Sequence, residues 1–87
     1  MDVRIDPHTL ERAIERGTNA LEIQEVVKTG FPAVAKHGRL AKYKVYTFQQ
    51  ERHSKFYEQK RVEVIYTVEG DLAVTVTVYV FYGKWEE

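Results

Sequence analysis

The stretch "RVEVIYTVEGDLAVTVTVYVFY", residues 61–82, constrains the fold more than any other part of the chain. Two runs alternate with a period of two on either side of Glu69–Gly70–Asp71, the pattern of two antiparallel strands joined by a tight turn. In the first arm Val62, Val64, Tyr66 and Val68 share a face, opposite Glu63, Ile65 and Thr67. In the second arm Leu72, Val74, Val76, Val78 and Val80 share a face, opposite Ala73, Thr75, Thr77, Tyr79 and Phe81. An unbroken valine face must be covered, so the rest of the chain has to supply a second layer. The opposite face, rich in threonine and tyrosine, is left for solvent, for a groove or for a dimer surface.

The cover is legible upstream. Asp6 is a good N-cap and Pro7 suits the first helical position, where its missing N–H costs nothing. Leu10, Ala13 and Ile14 follow as an apolar stripe at helical spacing, and Gly17 supplies a C-cap. Next, "NALE" has the spacing of a capping box, with Asn19 as cap and Glu22 three residues on. Leu21, Ile23, Val26 and Val27 give the second helix its apolar positions before Thr29–Gly30 stops it. Helices over about 7–16 and 20–29 therefore form an αα-hairpin, and neither is long enough to be stable alone.

Pro32 argues against helix and for a short edge strand over about 33–37, followed by a turn at His37–Gly38. A strand over about 42–49 sets Tyr43, Val45 and Thr47 on one side and Lys44, Tyr46 and Phe48 on the other. The stretch "QQERHSKFYEQKR" has no strong turn dipeptide and reads as an extended loop or hairpin tip. Strands over about 61–69 and 72–82 complete the chain. The expected fold is α+β: one domain over 1–87, with an N-terminal αα-hairpin on one face of a three- to four-stranded, mostly antiparallel sheet.

Several classes of function are excluded early. Eighty-seven residues hold one core, and the absence of cysteine removes disulfides and cysteine-based zinc sites. The opening MDVRIDPH shows no basic and apolar leader, and no apolar run approaches the roughly 20 residues of a membrane helix. The expectation is a soluble, cytoplasmic protein without membrane contact. His8, His37 and His53 lie far apart and lack paired carboxylate spacing, so neither metal nor cofactor is expected. No glycine-rich phosphate loop exists, and Ser54 is the only serine, which leaves a nucleophile triad unsupported.

The formal charge is zero, yet it is unevenly spread. Residues 28–61 carry a net +7, against −3 for residues 1–27 and −4 for residues 62–87. Such a region attracts phosphate-rich partners, or else pairs with the acidic ends of its own chain or of a second copy. Within it, "RHSKFYEQKR" interleaves Arg52, Lys55, Lys60 and Arg61 with Phe56 and Tyr57, the composition that stacks and neutralises single-stranded RNA. The first helix adds a ridge of His8, Arg12 and Arg16, one turn apart. A histidine beside guanidiniums suits proton transfer next to a phosphodiester, while contacts with Glu11 and Glu15 would explain the same residues without chemistry.

The pattern His8…Arg12…Arg16–Gly17, the acidic second helix and the terminal strand pair resemble the small bacterial DUF4258-type proteins. That family is discussed near the RelE/BrnT-like toxins, small α+β ribonucleases of toxin–antitoxin systems that cut RNA with basic residues and no metal. The resemblance implies a site on His8, Arg12 and Arg16, with Lys55, Lys60 and Arg61 matching the toxin theme generically. This chain departs from the toxins in its neutral charge and its longer, more aromatic ending.

Two functions are therefore expected. One is a metal-independent ribonuclease-like or RNA-binding protein of toxin–antitoxin type, with RNA and an antitoxin-like protein as partners. His8, Arg12, Arg16 and Lys60 would be catalytic there, Arg52, Lys55, Tyr57 and Arg61 would bind nucleic acid, and Tyr57 or Glu58 could share acid–base work. The other is a non-enzymatic interaction domain or homodimer, which meets its partner through the threonine- and tyrosine-rich face or the "VTVTVYVF" edge.

Overall fold

The computed structural model describes residues 1–85. In chain order the elements are β1 (Asp2–Arg4), α1 (Pro7–Arg16), α2 (Ala20–Thr29), β2 (Phe31–Ala33), β3 (Leu40–Arg52), β4 (Lys55–Glu69) and β5 (Leu72–Gly83). The strands form one five-stranded sheet in the order β1-β5-β4-β3-β2, with α1 and α2 on one face. The fold is α+β, and the sheet is mixed: β1 runs parallel to β5 while every other pair is antiparallel.

The helices start and stop where their caps dictate. Asp6 accepts from the His8 N–H, and Asn19 accepts from the Glu22 N–H at 2.8 Å. Gly17 takes the left-handed conformation (φ 94°) that ends α1, with its N–H on the Ala13 carbonyl. In α2 the buried residues are Ile23, Val26 and Val27, as its spacing requires.

α1 sits differently from the expected Leu10–Ala13–Ile14 stripe. Thr9 and Ala13 are the buried residues, whereas Ile14 is 81% exposed and Leu10 faces outward. The small side chains let α1 lie close to β5. There the Thr75 hydroxyl donates to Thr9 Oγ1 and accepts from the Asp6 N–H, both at 3.0 Å. The hydroxyls that this close approach buries are satisfied by one another and by the Asp6 N–H, so the contact leaves no polar group unpaired.

The terminal hairpin also departs from strict alternation. A bulge shifts the β4–β5 register, so that Thr77 stands opposite Ile65 while Thr75 stands opposite Tyr66. The extra residue reverses the facing of β5 below it. Val78 and Val80 lie under the helices with Val62, Val64 and Tyr66, but so do Ala73 and Thr75 rather than Leu72 and Val74. The valine face is therefore not continuous, and the break is what delivers Thr75 to Thr9.

The remaining strands are longer or shorter than their patterning suggests. The edge strand is residues 31–33 rather than 33–37. Of the two readings of the basic segment the hairpin tip is the one observed: β3 and β4 run on through it as paired strands to a two-residue turn at His53–Ser54. Both turn residues have positive φ (52° and 68°), as the tight hairpin turn compatible with strand twist demands. Among the described residues no helix is long and apolar enough to cross a membrane.

Candidate functional site

The C-terminus of α1 accounts for much of the basic segment. Its last carbonyls carry the negative end of the helix dipole and lack intrahelical donors. Three strands supply them: Arg52 Nη2 donates to the Glu15 carbonyl (2.7 Å), Tyr82 Oη to the Arg16 carbonyl (2.6 Å), and Lys60 Nζ to the Gly17 carbonyl (2.9 Å). Lys60 also pairs with Glu22 at 2.8 Å, with both side chains largely buried, and Thr18 Oγ1 donates to the same carboxylate. The Arg52 guanidinium lies 4.9 Å from the Tyr82 ring centre, and Phe48 and Tyr57 pack on that ring. Burial raises the pKa of the Tyr82 phenol, opposed by Arg52 and aided by the Glu22 charge.

The other residues singled out in the sequence fall in separate places. His8 is exposed and lies 4.0 Å from Glu11, and Arg12 pairs with Glu15 at 3.0 Å. Arg16 bends round the edge of β5, where Nη1 donates to the Val78 carbonyl and the guanidinium stands over the Tyr79 ring. Lys55 stands over Tyr57 near the hairpin turn. Arg61 lies on the opposite face of the sheet from Lys60. Lys60 and Arg16 are thus committed to backbone carbonyls; the sheet separates Arg61 from Lys60, while Arg16 reaches the open face only at the β5 edge, over Tyr79. Among the described residues no three His, Cys, Asp or Glu side chains converge as a metal site.

What the fold does assemble is the face of the sheet away from the helices. Pairing across β2, β3, β4 and β5 places Phe31, Tyr43, Glu63 and Tyr79 in one cross-strand row. The next row is Val45, Arg61 and Phe81, and the row on the other side is Ala33, Ala41, Ile65 and Thr77. Phe31, Tyr79 and Phe81 are 53%, 41% and 47% exposed. Tyr79 and Phe81 stack with their rings 28° apart.

A single ion pair stands among these rings. The Arg61 guanidinium lies 3.8 Å from the Tyr43 ring centre, and its Nη2 reaches Glu63 at 3.4 Å. Its Nε is buried without a hydrogen-bond partner among the described residues. A shallow cavity of about 320 Å³ beside it is lined by Arg61, Phe81 and Trp85, the only tryptophan in the chain. The Trp85 backbone N–H donates to Gln59 Oε1 at 2.6 Å, which fixes the chain just past β5 against β4. Aromatic rings around an arginine, with few other charges, are the composition of the core of a protein–protein interface.

The alternation in the sequence puts Tyr79 and Phe81 on this face, and Tyr43 with Val45. The row itself was hidden, because it depends on the register between strands. Alternation also puts Glu63 on this face, whereas Phe31 and Trp85 carry no sequence signal of their own. Compared with family models, curated proteins and solved structures, the chain matches none.

Proposed function

We propose that this chain is a non-catalytic interaction domain whose open sheet face is covered by another folded protein surface. One observation carries the reading. The helices cover only one face of the sheet, and the other presents Phe31, Tyr43, Tyr79 and Phe81 around the Arg61–Glu63 pair. Exposed aromatic side chains of this size are costly in water and are stabilised by association. The helix layer also exposes Ile14 and Leu21, but neither helix carries an aromatic anchor.

A photo-crosslinking residue at position 79, in cells producing the protein, tests this. The expected result is a discrete protein adduct from position 79 and none from position 24, an exposed helix position. Equal labelling at both positions, or adducts to nucleic acid alone, would overturn it.

A second reading keeps RNA as the partner, in line with the DUF4258-type and toxin-like resemblance of α1. It is favoured by a cleft of about 330 Å³ at the hairpin end, lined by Lys55, Phe56, Tyr57, Glu58, Tyr82, Gly83 and Lys84. Exposed Phe56 beside two lysines suits a stacked base and its phosphates. Binding to mixed single-stranded RNA at low salt that disappears in K55E/K84E would support this reading. Equal retention by wild type and variant would sink it.

A further inference from the structure

We infer that the open face is covered by a second copy of this chain, related by a two-fold axis lying in the plane of the face and crossing β4 at Val62. The inference rests on the open face being a protein interface and names what covers it.

On one face of a strand, successive side chains are about 6.6–6.8 Å apart, so Arg61 and Glu63 occupy adjacent rows on either side of the Val62 level. A two-fold axis running along the rows turns a second sheet over and reverses its strands, yet keeps β5 opposite β5 and β3 opposite β3. The row of Glu63 in one copy then falls on the row of Arg61 in the other. Glu63 meets Arg61 of the second copy, Tyr79 meets Phe81, and Tyr43 meets Val45. Each of these contacts forms twice, because a two-fold interface is self-complementary. In the flanking rows Thr77 meets Gly83, Ile65 meets Gln59, and Ala41 meets Thr47. Stacked sheets about 10 Å apart leave room for these pairs to interdigitate.

Neighbouring positions of the axis fail on charge. Centred on Arg61 it sets Arg61 against Arg61, and centred on Glu63 it sets Glu63 against Glu63. Crossing at Val64 it places Glu63 on Ile65 and Arg61 on Thr67, which buries both charges against neutral side chains. Only the crossing at Val62 matches acid with base and ring with ring.

Two further observations support a second copy as the occupant. Within one chain the Arg61–Glu63 contact is long, at 3.4 Å, and both side chains keep part of their surface open to solvent. The pair within one chain is therefore weak, and the exposed Nη end of the guanidinium is free to take a second carboxylate. The chain also carries no net formal charge, so two copies approach without net repulsion.

Sedimentation equilibrium of Arg61→Glu, Glu63→Arg and their mixture tests the arrangement. The wild type is expected to be a dimer. Arg61→Glu alone sets acid against acid and Glu63→Arg alone sets base against base, so each should associate about tenfold more weakly, or less. Mixed in equal amounts, they should form a one-to-one dimer, since every facing pair is again of opposite charge. Circular dichroism checks that each variant folds, and Arg61→Gln with Glu63→Gln replaces them where charge reversal unfolds the chain. The neutral variants are expected to weaken the dimer together. A wild type that stays monomeric overturns the second copy, even where position 79 crosslinks to a different protein. A dimer indifferent to all four substitutions overturns the axis.

Discussion

Arg16 on α1 closes the exposed edge of β5 by donating Nη1 to the Val78 carbonyl at 2.6 Å. β1 pairs only with Leu72–Val74, so the upper half of β5 has no neighbouring strand on the side away from β4. An edge of alternating valine and aromatic residues would otherwise recruit another strand, and a charged side chain across it is a common guard. Arg16→Ala is expected to cost about 1.5–3 kcal/mol, the range for losing one hydrogen bond that involves a charged group. Urea denaturation measures that loss. Light scattering on warming should show earlier aggregation than in Arg12→Ala, which removes only an exposed ion pair.

Lys60 joins two helices to the sheet. Its ammonium holds the Gly17 carbonyl and the Glu22 carboxylate, with 12% and 20% of the two side chains exposed. Lys60→Met leaves the carboxylate partly buried with Thr18 Oγ1 as its remaining side-chain donor. A destabilisation of about 2–3 kcal/mol is expected, below the full range for breaking a buried pair because water reaches part of it. The urea midpoint reads this directly. A change smaller than about 0.5 kcal/mol would show that Lys60 is not structural and return it to the list of candidates for RNA chemistry.

The orientation of α1 gives a sharper test. Ala13 is 1% exposed against β5 while its neighbour Ile14 is 81% exposed. Ile14→Gln is expected to change stability by no more than about 0.5 kcal/mol. Ala13→Leu inserts three carbons into a close-packed contact and is expected to cost about 1–3 kcal/mol. A helix seated on Leu10 and Ile14 would give the reverse order in thermal melts.

These residues also show what a sequence can and cannot convey. Caps are local, so Asp6, Gly17 and Asn19 mark the helix ends without reference to the rest of the fold. Alternation is local too, and it separates Val62 and Val64 from Glu63 and Ile65. Which face of α1 is buried is not local, because it depends on Thr75, 66 residues away from Thr9. The bulge that turns Thr75 inward leaves no mark among alternating valines and threonines. The three-residue β1 is too short to show a period, so the parallel pairing that makes the sheet mixed was illegible. The candidate site was half visible for the same reason: its rings follow from alternation, but their row with Glu63 follows from register.

Alkaline pH should weaken the fold through buried phenols. Burial, above all, and then the hydrogen bond to Glu25 and the charges of Glu25 and Glu22 push the Tyr46 pKa well above its ordinary value. Burial raises Tyr66 and Tyr82 as well. A phenol with a raised folded-state pKa contributes its full stability below the unfolded pKa, about 10. That contribution is lost as pH rises above this value, since only the unfolded chain can then ionise. Phenolate absorbance of the native protein is expected to lag behind that of the denatured protein above about pH 10. Denaturant midpoints should fall over the same interval, and less steeply in Tyr46→Phe.

The turn at His53–Ser54 holds backbone strain that the long strands impose. It is a two-residue connection in which both residues hold positive φ, a conformation uncommon for any non-glycine residue although histidine takes it more often than serine. For most side chains the left-handed region costs roughly 1–2 kcal/mol per residue, and asparagine and glycine avoid most of it. The neighbouring pairs Arg52–Lys55 and Glu51–Phe56 fix the register, so the turn is imposed by the long strands it connects. Replacing the dipeptide by Asn-Gly (H53N/S54G) should therefore leave the register unchanged and raise stability by about 1–2 kcal/mol. Thermal melts measure the gain, and backbone amide exchange across the β3–β4 pairs checks the register. A loss of stability would mean that the His53 or Ser54 side chain makes a contact that offsets its backbone strain.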